Sequence, residues 1–351
     1  MQSFLRHFLP VLFSAAALAC GGDEHHHDQL DAGTTVDAST GDAKASSPDG
    51  AAATSYIPFS ASNMAAQQAR VGIYEEIVAI RKATGFDKTK CGDIAGTPAA
   101  GTIAEAYTRN DATGGVLRDK VNGRKDDHAY NKDATIGTTM NAIITEAITK
   151  CHAGTLSAAL AGQFVDKTLQ WFFYASVYHE LALTSAGGDT APAKLDEAFG
   201  YYGRSTDGAT SRGISGTAKK RDDNFGLTLN NTIFQLFLQG RDEVAAKNFA
   251  AVTETAKKMD QNLLAVLAYS VAREFKELPA DAAPDVKLAE GKNFFNIIEP
   301  YMLKGSTAET KTDAEYIRAQ IDKTTFDKAK EIDAAGIVSR IEKAFGIDVT
   351  P

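Results

Sequence analysis

The sequence predicts an all-α protein, an irregular multi-helix bundle with long loops and one disulfide. Apolar residues recur at three- and four-residue spacing along most of the chain, the period of a helix with one buried face. No stretch of useful length alternates apolar and polar residues, so strands have no support. The third observation is the segment 155–203, TLSAALAGQFVDKTLQWFFYASVYHELALTSAGGDTAPAKLDEAFGYYG, which holds the only tryptophan, Trp171, and the densest aromatic clustering. Its first half reads as a long helix that is apolar around much of its circumference, as a helix surrounded by neighbours must be. Asp166, Lys167 and Glu180 within it argue against a membrane span.

Residues 1–19 have a short basic start (Arg6, His7), an apolar run over 8–19 and small residues before Cys20, the pattern of a secretory signal peptide. The run falls short of the roughly 20 apolar residues a spanning helix needs. Two cleavage readings stand side by side. Ala17-Leu18-Ala19 is an A-x-A site, and Ala-Leu-Ala-Cys resembles a bacterial lipobox with Cys20 as the lipidated residue. Residues 20–55 are rich in Gly, Asp, Ala, Ser and Thr, with little to bury and so no means of offsetting the entropy of ordering. Such a tract suits a disordered tether between lipid and domain, and multiple acylation of Cys20 would make that anchor stable. Gly21 after the cysteine favours outer-membrane sorting by resemblance to Gram-negative lipoproteins; a secreted soluble form is the alternative. His25, His26, His27 and Asp28 could share a metal ion, but a tether holds no ligand in place, so solubility or adventitious binding is the plainer reading.

Residues 56–351 are enough for one helical domain. The net charge of −8 is spread along the chain with no Lys/Arg stripe, which gives no footprint for nucleic acid. With Cys20 assigned to lipid, Cys91 and Cys151 remain, and an oxidising envelope compartment favours a disulfide between them, with two buried free thiols as the alternative.

The elements follow in order. The first helix is expected over 65–84, with Val71, Tyr74, Ile77, Val78 and Ile80 at helical spacing and Gly85 as its stop. A Gly- and Asp-rich region over 91–133 holds at most short helices near 103–107 and 115–121; its Asp126-Asp127-His128 looks ligand-like but is also common loop composition. A helix over 134–151 precedes the long one, on which Val165, Leu169, Phe172 and His179 share a stripe, while Phe164, Trp171 and Tyr178 repeat every seven residues on the adjacent face. A short helix over 196–203 puts Leu195 and Phe199 on one side and Glu197 and Tyr201 on another, with Gly203 as terminator. Gly200 inside it costs about 1 kcal/mol relative to Ala, which points to close approach of another backbone. Residues 204–224 read as loop. Helical stretches follow over 227–258, broken near Gly240, over 259–278, ended by Pro279, and over 286–303; weaker ones cover 308–321, 323–333 and 335–345.

QQARVGIYEEI near the start of the domain, LDEAFGYYG in its centre, LNNTIFQLFLQGRDEVAAKNF and LLAVLAYSVAREF together resemble a bacterial helical lipoprotein family of unknown function. That family carries a DEAFGY(F/Y)G signature followed by an F-L-x-G-R helix and is found among imelysin-like, iron-related envelope proteins. The specific matches here are DEAFGYYG and the Gly240-Arg241 context. The resemblance implies a helical fold, an envelope location and iron or other metal acquisition. Imelysins carry G-x-H-x-x-E; this chain has no H-x-x-E, since His179 and Glu180 are adjacent.

The candidate site joins His179 and Glu180 of the long helix to Asp196, Glu197 and Tyr201 of the short one, as a pocket for a cation or small polar ligand. Imidazole with carboxylate suits a transition metal such as iron, with His179 and Glu197 as ligands. His179 ends an otherwise apolar stripe, where a polar group must find a partner. The structural reading of the same residues is an interhelix link, with Asp196 capping its helix and Glu197 in the first turn. No zinc-peptidase H-E-x-x-H, G-x-S-x-G elbow or phosphate loop is present. The expected function is therefore a lipid-anchored envelope protein binding a small ligand or metal. An envelope interaction protein that docks a protein partner without a small ligand is one alternative, and an unrecognised hydrolase relying on Glu180 or Glu197 is another.

Overall fold

A computed structural model describes residues 55–111, 113, 115–125, 135–304 and 307–350. The leader, Cys20, the tether with His25 to Asp28, and Asp126-Asp127-His128 lie outside these residues. The described chain is helical throughout: α1 (Ala61–Lys82), α2 (Lys88–Cys91), α3 (Ile103–Thr108), α4 (Leu117–Asn122), α5 (Ile136–His152), α6 (Ala158–Ser185) and α7 (Ala191–Tyr202) form its first half. The second half holds α8 (Gly213–Phe225), α9 (Leu229–Ala245), α10 (Phe249–Glu277), α11 (Pro284–Lys304), α12 (Ala308–Lys323) and α13 (Ala334–Phe345). Two isolated β-bridges, Asn110 with Val116 and Arg204 with Ser211, are the only extended pairing among the described residues. None of the described helices is long and apolar enough to cross a membrane.

The long helix α6 starts where the Ser157 side chain accepts a hydrogen bond from the Leu160 amide at 3.3 Å. Of its 28 residues, 19 are buried, so it has no solvent face of ordinary width. It packs against α1, α5, α7, α10 and α11, which is why its Val165, Leu169, Phe172 stripe and its Phe173 and Trp171 are all covered. Core residues from Tyr56 to Val349 belong to one hydrophobic cluster. Cys91 closes α2 onto the last turn of α5 through its disulfide with Cys151, their Cα atoms 6.0 Å apart.

The sequence expectations needed four corrections. Residues 204–224 are not all loop, because α8 occupies 213–225. Its middle is a charged run, Lys219 to Asp223, and the residues it buries, Gly213, Ile214, Ser215, Thr217, Ala218 and Arg221, are mostly small or polar, while Arg212 and Ser215 bond reciprocally at its start. The break near Gly240 is absent: α9 runs through that glycine, which faces Thr255 and Met259 of α10. The chain turns instead at Ala246 to Asn248, where Lys247 takes a φ of 56°, and α10 then continues unbroken across 258–259. The helix expected over 323–333 is a 3-10 turn, Phe326–Glu331. The helix expected over 196–203 begins at Ala191, with Pro192 in its first turn, so Asp196 sits mid-helix and caps nothing of its own.

α7 lies in close contact with α1, α6 and α9. Gly200 makes that possible, since a Cβ there would stand 2.9 Å from Gln67 Cβ and 3.4 Å from Met64 Cα. Gly203 ends the helix with φ 84° and donates back to the Phe199 carbonyl.

Candidate functional site

Successive residues on a helix point about 100° apart, and α7 uses that offset to send its two acids to different places. The Asp196 side chain faces the segment that leads into α1. It accepts hydrogen bonds from the Tyr56 hydroxyl at 2.8 Å, the Phe59 and Ser60 amides at 3.2 and 3.0 Å, and the Asn63 side-chain amide at 2.9 Å. These are donors that the start of α1 would otherwise leave unmatched, so Asp196 caps α1 from across the fold. Tyr56 stacks on Phe199 at 4.0 Å between ring centres, and Arg241 bonds the Ile57 carbonyl while lying over the Phe59 ring. Asp196 and Phe199 of α7 and Arg241 of α9 thus converge on the strap 56–60.

The other acid, Glu197, turns toward α6. Lys194 Nζ stands 3.0 and 3.1 Å from its two carboxylate oxygens and 3.3 Å from Glu180 Oε2. Glu180 is 4 % exposed, and Arg124 approaches its other oxygen at 3.8 Å. Burial pushes the Glu180 carboxyl up from its ordinary range and the charge of Glu197 adds to this, against the pull of Lys194, Arg124 and His179. His179, one position earlier on α6, is half-buried.

Tyr201, one turn beyond Glu197, completes the cluster. Its hydroxyl accepts from Arg70 Nη1 at 3.2 Å and Arg124 Nη2 at 3.4 Å, and its ring and that of Phe172 lie 5.6 and 5.7 Å from the Arg124 guanidinium carbon. Arg70 also pairs with the buried Asp111 at 3.4 Å. Among the described residues four buried atoms here make no hydrogen bond of ordinary geometry: Arg70 Nε and Asp111 Oδ2, which face each other as an ion pair at 3.4 Å, Glu180 Oε2, which faces Lys194, and Arg124 Nε.

The structure therefore brings together Glu180, Glu197 and Tyr201 around Lys194 and Arg124, and separates Asp196 from them. The expectation that Asp196 shares a pocket with His179 is corrected on this ground, as is the expectation that it caps its own helix. A metal held by His179 and Glu197 does not fit the donor set. Lys194 places its ammonium between Glu180 and Glu197, where a cation would sit, and no group of three or more His, Cys, Asp and Glu side chains among the described residues could hold a metal ion. Sequence reading missed Arg70, Arg124, Lys194 and Asp111. Only Lys194 carried a local signal, three residues before Glu197 on one helix face.

A separate shallow cleft of about 360 Å³ lies beside the disulfide, lined by Lys88, Thr89, Asp93 and His152 among others, and shares no residue with this cluster. No protein-family model, curated protein or solved structure matches this chain.

Proposed function

We propose that this chain is an envelope protein, anchored through lipid on Cys20, whose helical domain binds a small polar ligand bearing an anionic group at Arg124, Lys194 and Tyr201. The observation that carries this reading is the state of Arg124. Its guanidinium rests against two aromatic rings, its Nε has no hydrogen-bond partner among the described residues, and the Glu180 carboxylate it approaches is 3.8 Å away, beyond hydrogen-bond reach. Buried polar atoms without partners are uncommon, and a planar guanidinium suits a carboxylate or phosphate in two-point contact. Lys194 supplies a second cation, and Glu180 already mimics an anion poised between the two.

The test is thermal denaturation with succinate, glutamate or inorganic phosphate at millimolar concentration. Binding at 100 times Kd stabilises by about 2.7 kcal/mol, so at least one probe should raise Tm for the wild type and not for Arg124→Gln. No shift with any of the three, wild type and variant alike, would overturn the reading. Anchoring is tested separately, since Cys20→Ser should move the protein from the membrane fraction to the soluble one.

A second reading, an envelope protein that docks a partner and takes no small ligand, is favoured by the strap. Signature residues Asp196, Phe199 and Arg241 all serve to hold residues 56–60, and that use of the motif requires no ligand.

A further inference from the structure

Two helix faces meet around Arg124. Phe172, Ser176 and Glu180 follow one another at four-residue steps along α6, and Lys194, Glu197 and Tyr201 at steps of three and four along α7, which packs on α6. The Arg124 guanidinium lies against the Phe172 and Tyr201 rings, with Glu180 Oε1 at 3.8 Å; Glu180 Oε2 stands 3.3 Å from Lys194 Nζ.

The charges between these faces are unequally matched. Arg70 has the buried Asp111 at 3.4 Å, and Lys194 has both oxygens of Glu197 at 3.0 and 3.1 Å. Glu180 comes near two cations and meets neither at the distance of a charge-assisted hydrogen bond, about 2.7–2.9 Å. It is also 4 % exposed, so a second anion between Arg124 and Lys194 would have to take its room.

Building on the ligand site at Arg124, Lys194 and Tyr201, we propose that Glu180 is the built-in competitor of that site, and that the ligand is a small carboxylate on a methylene arm which evicts the Glu180 side chain. The ligand class follows from the group it replaces: two oxygens in one plane, one toward each cation, on a short apolar stem. A free carboxylate can also close onto the planar guanidinium in two-point contact, which Glu180, rooted on α6, does not make.

The evicted carboxylate needs a donor of its own, since a buried charge without one is costly. Side chains on a helix lean toward its N-terminus, and the residue one turn earlier on the same face is Ser176. Ser176 is fully buried, and its hydroxyl has no hydrogen-bond partner among the described residues. Glu197 keeps Lys194 in place throughout.

The experiment is calorimetric titration of the full chain with succinate, glutamate and inorganic phosphate, comparing wild type with Glu180→Gln and Glu197→Gln. A competitor lowers apparent affinity by the fraction of molecules in which the site is open, so Glu180→Gln should bind succinate or glutamate about tenfold more tightly than wild type. Glu197→Gln removes an equal charge from beside the same lysine but vacates no ligand position, and should show no such gain. Should Glu180→Gln fail to fold, Glu180→Met, uncharged and of similar length, carries the same expectation.

A carboxylate bound by wild type and no more tightly by Glu180→Gln, an equal gain in Glu197→Gln, or tightening for phosphate alone would each overturn the competitor and leave the ligand site standing. No binding of any probe to wild type or to the Glu180 variants would overturn the site itself, and the competitor with it.

Discussion

Tyr56 and Asp196, 140 positions apart, meet in a 2.8 Å hydrogen bond that joins the segment leading into α1 to the middle of α7. Asp196 is fully buried, and its other contacts are backbone and side-chain donors at the start of α1. A buried carboxylate with four donors serves where no water could replace them.

Removing either partner should therefore be costly. Asp196→Ala leaves the Tyr56 hydroxyl and the Ser60 amide unmatched and should destabilise by about 3 kcal/mol, while Tyr56→Phe, which keeps the ring stacked on Phe199, should cost about 1 kcal/mol. Urea unfolding of the two single variants and the double variant measures this, with a coupling of at least about 0.5 kcal/mol expected for the pair.

The disulfide gives a second prediction. Cys91 and Cys151 are separated by 60 positions, and closing a loop of that length stabilises by about 4 kcal/mol in the chain-entropy model. Cys91→Ser with Cys151→Ser should lower the urea midpoint accordingly, with an m-value that stays the same or rises as the unfolded chain expands.

Acid should unfold the protein through two carboxylates in particular. Burial alone would raise Asp166, but Lys167, Arg81 and the Tyr74 hydroxyl hold it at about 2, below its ordinary 3.8, and Glu274 is held equally low. Both bind fewer protons folded than unfolded, so the stability they confer is present above about pH 4.5 and is lost as pH falls toward 2. Asp166→Asn should remove about 2 kcal/mol of stability at pH 7 and much less at pH 2, read from melts at the two pH values.

Gly200 should tolerate no side chain without loss. Its Cβ would stand 2.9 Å from Gln67 Cβ, an atom close to the backbone that cannot swing aside. Gly200→Ala should destabilise by about 1 kcal/mol or more despite the better helix propensity of Ala, and Gly200→Leu by considerably more. Equal stability of Gly200→Ala and wild type would show that α1 yields freely.

The helical class and the burial of α6 were legible in the sequence because they follow from local spacing: Val165, Leu169 and Phe172 declare their face whatever packs against it. Glycine hints at 200 and 203 were legible for the same reason. The role of Asp196 was not, since its donors lie about 130 to 140 positions earlier and nothing beside it in sequence marks them. Gly240 read as a breaker because propensity speaks against it, whereas packing on Thr255 and Met259 holds it inside α9. α8 was hidden by composition: Ile214 is the one large apolar residue among those it buries, and Arg221, paired with Glu274, is another of them. Half of the candidate site was visible as acids on α6 and α7, while Arg70 and Arg124 could be placed only by the fold.

The strap 56–60 touches three helices drawn from distant parts of the chain: α1, which it begins, α7 through Asp196 and Phe199, and α9 through Arg241. Any tug arriving from residue 55 is thus divided among side chains on α7 and α9 before the first turn of α1 can unwind. The domain can hang from its leading end without that end becoming its weakest point.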